Sequence, residues 1–258
     1  MADQSSVNTM TEKKTNQTTG NSIPILRKGD GSVHLPVHPK DGERSGSLTA
    51  SPKYPAVFLD RDGVINEEVG FVSDPNSLRV LPGVAEALRS LASHFQLVVI
   101  TNQSGIARGL YTDDDLLAVN QELASRLAAD GAALDAIYYC PHLPEGKIPR
   151  YSIECECRKP KPGMLLMAAN DLGISLEGSY MVGDTPRDVQ AADSAGVTGI
   201  IIGATTDDCP KGVLTAASLP DAAELILSET ASSREAHADK AGMSAEPISA
   251  VAHRGELA

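Results

Sequence analysis

The sequence predicts an α/β fold: a Rossmann-like parallel sheet with helices on both faces. Three observations carry that expectation. Short apolar runs rich in Val, Ile, Leu and Tyr alternate with longer helical segments. Helix-start signals follow the runs: Pro82, Pro162 and Pro186 suit first turns, and Thr112 with Asp115 resembles a capping box. The polar motifs stand where the runs end. Such alternation implies right-handed βαβ crossovers, so every strand's carboxyl end feeds one crevice.

Taken in order, residues 56–59 are short, apolar and contain Val and Phe, as a buried strand does. A helix is expected over 82–93 and a strand over 97–100. A helix over 113–129 and a strand over 136–139 follow. The remaining elements are a helix over 163–172, a strand over 180–182, a helix over 186–195 and a strand over 197–202. Residues 53–228 therefore form one domain. Residues 1–52 and 229–258 are polar, with little apolar periodicity, and are expected to be disordered tails. Ile23-Pro24-Ile25-Leu26 is a minor apolar exception that could dock somewhere.

The chain has 258 residues and is 41% hydrophobic, enough for a real core, but only 3% aromatic with no Trp. Leu, Val, Ile and Ala must fill that core. A net charge of −12 argues against nucleic-acid binding, which needs a basic surface, but not against a local phosphate site. No stretch approaches the roughly 20 apolar residues of a membrane helix. The first residues have no secretory pattern. Three of the four cysteines cluster, which suits a reducing cytoplasm better than a disulfide framework.

Four constellations carry chemistry. In Phe58-Leu59-Asp60-Arg61-Asp62-Gly63, two carboxylates close a strand, so one can attack and bind a hard cation while the other shuttles a proton. Thr101-Asn102-Gln103-Ser104-Gly105 ends another strand and can cradle phosphoryl oxygens. Gly183-Asp184-Thr185-Pro186-Arg187-Asp188 brings Asp184 to Asp60 and Asp62 as an oxygen site for Mg²⁺. Asp184 could instead cap the following helix, and Asp188 reads as the more structural acid. In Arg158-Lys159-Pro160-Lys161, a lysine held against the acids would offset the nucleophile's and phosphate's charge, with Lys159 and Lys161 both open on spacing alone. Finally, Cys140-Pro141-His142 and Cys155-Glu156-Cys157, twelve residues apart, match a Cys₃His zinc site. Four protein ligands leave no open position, so this Zn²⁺ is structural. Cys209 lies outside the cluster and reads as a small core or loop residue.

Acidic pair, Thr-Asn-Gln-Ser, Arg-Lys and Gly-Asp, in that order, resemble the haloacid dehalogenase superfamily of phosphatases. Residues 58–66, 101–109, 138–142, 155–164 and 180–184 look closest to the D-glycero-D-manno-heptose 1,7-bisphosphate phosphatase family, over roughly residues 54–202. The resemblance implies that Asp60 is the nucleophile and that Asp62 is the acid and then the base. It makes Asp60, Asp62 and Asp184 the Mg²⁺ ligands, and Thr101 and Lys159 the stabilisers of the transferring phosphoryl group. It favours Lys159 over Lys161. Arg61, Glu68, Val69, Gly70, Phe71, Asn102, Gln103, Ser104 and Arg158 would meet substrate, Arg158 suiting a distal phosphate. The spacings leave no room for a large lid domain; the zinc-stapled loop would shape the pocket instead.

Some residues depart from the family pattern: Thr185 follows the metal Asp where a Lys can stand, and Val64 replaces a common Thr. The leader and tail also exceed the compact family norm. The expected function is a cytoplasmic, monomeric, Mg²⁺-dependent phosphatase taking the C7 phosphate from heptose 1,7-bisphosphate, for nucleotide-activated heptose and lipopolysaccharide synthesis. Its substrate is a small sugar phosphate, with neither nucleic acid nor membrane as partner. The alternatives are a histidinol-phosphate phosphatase, whose substrate has no second phosphate for Arg158, and a catalytically inactive zinc-stabilised binding protein.

Overall fold

The computed structural model describes residues 25–28, 54–203 and 209–242. Among them, seven strands form one sheet. They are β1 (Ile25–Lys28), β2 (Tyr54–Leu59), β3 (Gln96–Asn102), β4 (Ala136–Cys140), β5 (Ile174–Gly183), β6 (Thr198–Ile202) and β7 (Leu214–Ala216). Their spatial order is β1-β4-β3-β2-β5-β6-β7, and every pairing is parallel. From β2 the chain builds outward through β3 and β4, then returns to lay β5 on the other side. The strand order thus reverses beside β2, and such a switch point opens a crevice at the strands' carboxyl ends.

Side chains alternate between the faces, as the strand period requires. Val57 and Leu59 of β2, Leu97 and Val99 of β3, and Ile137 and Tyr139 of β4 point to one core. That core is covered by α1 (Val84–Leu91), α2 (Asp113–Ala129) and α5 (Leu219–Gly242). Ala56, Phe58, Val98, Ile100, Ala136 and Tyr138 point to the other, under α3 (Gly163–Leu172) and α4 (Pro186–Ala195). Burial on both faces explains why the strands read as continuous apolar runs.

The helix ends follow local chemistry. At α2, Asp115 N–H donates to Thr112 Oγ1 at 3.2 Å and Thr112 N–H donates to Asp115 Oδ2 at 2.8 Å, the reciprocal capping box. At α4, Thr185 and Asp188 repeat it, with Thr185 N–H 3.0 Å from Asp188 Oδ2. Pro162 is the N-cap of α3 rather than a first-turn residue. α1 is shorter than expected because Gly83, at φ +75°, is its N-cap and leaves Pro82 in the preceding turn.

Strand β5 is longer than residues 180–182 and irregular. It pairs with β2 at Ile174 and Ser175, and again from Tyr180. The Ser179 hydroxyl accepts the Ala56 N–H across the shift at 2.8 Å, so no donor is lost. One element falls inside an expected tail and another extends into one. β1 adds to the β4 edge, with Ile25 opposite Ala136, and α5 runs past residue 229 to Gly242. Regular structure therefore does not stop at 52 and 228; the rest of both tails lies outside the described residues.

The loop after β4 returns across the crevice and is tied to α2. The Tyr139 hydroxyl donates to Asp113 Oδ1 at 3.0 Å, and the Tyr151 hydroxyl to Asp113 Oδ2. Among the described residues no helix is long and apolar enough to cross a membrane. No separate lid domain interrupts the described elements.

Candidate active site

Asp60 follows β2 directly, its N–H bonded to Val182 O of neighbouring β5 at 2.9 Å. Asp184 follows β5. The turn after Asp60 brings them together through Gly63, whose φ of +79° suits glycine; a Cβ there would lie 2.1 Å from Asp184 Oδ2. Side-chain oxygens of Asp60, Asp184 and Asp188 come within 4.8 Å of one another. Of the expected set Asp60, Asp62 and Asp184, two carboxylates lie together, and the third is that of Asp188 rather than Asp62.

Lys159 faces this cluster with a fully buried side chain. Its Nζ donates to Ile100 O at 2.7 Å and forms ion pairs with Asp188 Oδ1 at 2.6 Å and Asp60 Oδ1 at 3.0 Å. Burial works against the ammonium, but the Asp188 and Asp60 carboxylates outweigh it and hold its pKa above the ordinary lysine value. Asn102 clamps the Lys159 main chain from both sides, accepting its N–H and donating to its C=O, each at 3.1 Å. Lys161 is half-exposed and pairs with Glu156 at 2.9 Å, away from the acids.

Three crowded carboxylates against one ammonium leave an excess of negative charge. Burial pushes Asp60 up to about 7, against the pull of Lys159 and with Asp188 adding to the rise. Burial and then Asp188 push Asp184 up to about 6. A hard divalent cation beside Asp60 and Asp184 would relieve that strain, and the donor set of carboxylate oxygens fits one.

Asp62 has a different environment. Arg61 Nη2 grips both of its oxygens at 2.9 Å. Asn66 Nδ2 and Gln103 Nε2 donate to it at 2.9 and 2.8 Å. Arg61 is wholly buried, and its other arm bonds Asn120 Oδ1 of α2 at 3.0 Å. Asn66 Oδ1 and Asn120 Nδ2 are buried without partners. Arg61, expected to meet substrate, is therefore a clamp on Asp62: its guanidinium has no solvent-facing surface.

Thr101 is 1% exposed near the end of β3, its hydroxyl accepting from Gln103 Nε2 at 2.9 Å. The Asn102 and Gln103 side chains, also expected to touch substrate, are turned to Lys159 and to Asp62 and Thr101. Glu68, Val69, Gly70, Phe71 and Ser104 remain accessible on the rim, with Val69 58% and Phe71 46% exposed. Arg158 is half-buried and spends one donor on His142 O at 3.3 Å. Sequence reasoning missed Asn66, Tyr111 and Asn120. Asp188 stood in a quoted motif as the more structural acid, and its contact with Lys159 was not foreseen.

The four expected zinc-site residues meet. Sulfurs of Cys140, Cys155 and Cys157 lie 3.2–3.6 Å apart and are not disulfide-bonded, and His142 Nδ1 is 3.4 Å from Cys157 Sγ and 3.7 Å from Cys140 Sγ. The edges of a tetrahedron of thiolates around one ion are of this size, at roughly 3.7 Å. Without an ion the thiols must share protons: Cys140 is held down to about 6 by its hydrogen bond from Cys157, whose own pKa is pushed far up by the same contact. A cation would let all three ionise, and the donor set fits zinc. Cys209 is a half-buried loop residue outside this cluster.

The HAD-hydrolase-like family model matches residues 156–221. The chain is 48% identical over 144 residues to D-glycero-beta-D-manno-heptose-1,7-bisphosphate 7-phosphatase of Yersinia pestis, covering 55% of this chain and 77% of that protein. The same-named protein of Rhodopseudomonas palustris is 44% identical over 154 residues, covering 59% and 86%. The crystal structure of D,D-heptose 1,7-bisphosphate phosphatase from B. bronchiseptica, complexed with magnesium and phosphate, superposes with a TM-score of 0.61 at 35% identity. It covers 68% of this chain and 99% of that one. With strand-end carboxylates, buried lysine and thiol–imidazole cluster in place, these similarities show that the chain belongs to the D-glycero-D-manno-heptose 1,7-bisphosphate phosphatase family of the haloacid dehalogenase superfamily.

Proposed function

We propose that the protein removes the C7 phosphate of D-glycero-D-manno-heptose 1,7-bisphosphate, releasing inorganic phosphate and heptose 1-phosphate. The observation that carries this reading is Asp60 at the switch point, 3.0 Å from the buried Lys159 ammonium and beside Asp184. Asp60 attacks phosphorus in line as the bond to the C7 oxygen breaks, and Asp62 gives that oxygen its proton. Asp62 then takes a proton from water, which attacks the aspartyl-phosphate and frees Asp60. The Thr101 hydroxyl and the Lys159 charge stabilise the phosphoryl oxygens. Mg²⁺ would be held by Asp60 and Asp184, with Asp62 the third residue of the expected set, and would supply charge neutralisation at the transferring group.

The Cys140, His142, Cys155 and Cys157 cluster holds a structural Zn²⁺ that fixes the loop carrying Arg158 and Lys159. Arg158 then meets the second phosphate of the substrate. The relatives' names specify the β anomer, and the same anomer is proposed here. The product serves nucleotide-activated heptose synthesis for a surface glycan such as lipopolysaccharide, in the cytoplasm.

Asp60→Asn keeps the shape but cannot form the acyl-phosphate, so turnover should vanish while the fold persists. Phosphate release within about tenfold of wild type, a barrier change of only ~1.4 kcal/mol, would remove the nucleophile assignment.

Arg158→Ala should lower kcat/KM for the heptose bisphosphate by roughly 10- to 150-fold, the worth of a charge-assisted contact of about 1.5–3 kcal/mol. Arg158→Lys should recover only part, since a point charge lacks the guanidinium fork. Histidinol phosphate, with no second phosphate, should be turned over poorly by the wild type and lose little more. Equal losses on both substrates would assign Arg158 to the transferring phosphate instead.

For the zinc site, the expected result is a stoichiometric zinc signal in wild-type protein and little in Cys155→Ser, with a lower unfolding midpoint. A metal-free wild type of full stability and activity would refute it.

The raised carboxyl values set a pH dependence. Asp60 titrates at 3.8 in an unfolded chain and about 7 here, and Asp184 moves from 3.8 to about 6. The folded, metal-free protein binds more protons across that window, so its stability falls as pH rises from about 4 to about 7. Mg²⁺ replaces those protons. It should raise the unfolding midpoint at pH ~8 and barely at pH ~5; an equal rise at both would contradict carboxylate-borne binding.

A further inference from the structure

Tyr111 stands outside the residues that the proposed reaction uses, yet its hydroxyl is bonded to one of them. It lies in the loop between β3 and α2 and is only 6% exposed. Its ring seats on Gly105, where a Cβ would come within 2.1 Å of Tyr111 Cε1, so a side chain at 105 would displace it. On another side the ring meets Phe71, with centroids 6.4 Å apart and planes at 55°. The hydroxyl donates to Gln103 Oε1 at 2.5 Å. Burial pushes the phenol's pKa well above the ordinary tyrosine range, so it stays a donor across the working pH.

A glutamine amide has one acceptor oxygen and one donor nitrogen, and filling the oxygen decides which way the group faces. With Oε1 held by Tyr111, the Gln103 nitrogen is left 2.8 Å from Asp62 Oδ2 and 2.9 Å from Thr101 Oγ1. Of the three side chains that grip Asp62, Arg61 and Asn66 belong to its own turn, whereas Gln103 reaches it from β3's loop. That contact therefore sets where the Asp62 carboxyl sits relative to the rest of the crevice.

We propose that Tyr111 is a positioning residue: by fixing the Gln103 amide it aims the Asp62 carboxyl at the leaving sugar oxygen. The inference rests on the assignment of Asp62 as the acid in the proposed function.

The test is Tyr111→Phe, which keeps the ring on Gly105 and against Phe71 and deletes only the hydroxyl. Two substrates separate positioning from packing. An alkoxide leaving from heptose 1,7-bisphosphate needs a proton, whereas the p-nitrophenolate leaving from p-nitrophenyl phosphate does not. In Tyr111→Phe, kcat/KM should fall about five- to tenfold on the sugar phosphate, through kcat with KM unchanged, and less than about twofold on the aryl phosphate. Asp62→Asn, measured alongside, should show the same selectivity in kcat/KM with a larger loss, because the water-activating step that both substrates share comes after leaving-group departure and enters kcat alone. If Asp62→Asn is selective and Tyr111→Phe lowers both substrates equally, or neither, the inference is overturned while the acid assignment stands. If Asp62→Asn itself lowers both equally, the acid assignment fails and takes the inference with it.

Discussion

A lysine ammonium with no exposed surface has to be neutralised and hydrogen-bonded from several directions at once, and Lys159 meets that demand by drawing three elements together. Ile100 O comes from β3, Asp60 from the end of β2 and Asp188 from the first turn of α4. Removing the ammonium would leave Asp188, wholly buried, as an uncompensated charge, a defect of about 3–5 kcal/mol. The same arrangement suits the proposed phosphate site: a positive charge that cannot retreat into solvent, beside a carboxylate that keeps 14% of its side chain open. Stability and chemistry share one set of contacts here. Asn102 and the thiol–imidazole cluster serve it from behind, one clamping the Lys159 main chain and the other closing the loop two residues upstream.

The two acids of the first loop then differ by environment rather than by type. Asp60 lies among carboxylates and one ammonium, where burial raises its pKa and a cation is wanted. Asp62, two residues on, sits among donors only: Arg61, Asn66 and Gln103. A carboxylate held by donors on several sides is fixed in direction, and direction is what a proton-transfer group needs. The two carboxyl groups thus meet different demands: one calls for a cation, the other is fixed in direction by its donors.

How much of this was legible in the sequence depended on whether the information is local. The α2 bounds follow from Thr112 and Asp115, and the α4 start from Pro186, because a cap is a contact between near neighbours. Cysteine and histidine announce their chemistry by identity, so the four-residue cluster could be read from spacing. Side-chain direction could not. Arg61, Asn102 and Gln103 stand in the right loops, yet each turns inward to another residue of the site, a choice made by partners 57 to 59 positions away for Arg61 and Asn102 and 41 for Gln103. Asp188 was read as the more structural acid, and it does complete the capping box of α4, but one carboxylate oxygen serves Thr185 and the other faces Lys159. β1 and α5 were missed because their support is tertiary. Four residues in a polar leader become a strand only beside β4, and the Ala- and Ser-rich tail shows a helix as the continuation of α5, which packs beside α1.

With no lid domain among the described residues, the proposed discrimination falls to the rim of the crevice. On one side stands the exposed stretch from Glu68 to Phe71, and on the other the loop of the thiol–imidazole cluster with Arg158. Phe71 packs on Tyr111, which bonds Gln103, which bonds Asp62. Arg158 neighbours Lys159, which bonds Asp60. Each acid is thus wired to one wall. Under the proposed function, a substrate that fills only one wall would engage only one half of the chemistry, whereas a sugar pressing on Phe71 with its far phosphate at Arg158 would engage both. Binding energy gathered at two remote points can then be realised at the reacting phosphorus, which is how a small open site converts recognition into rate.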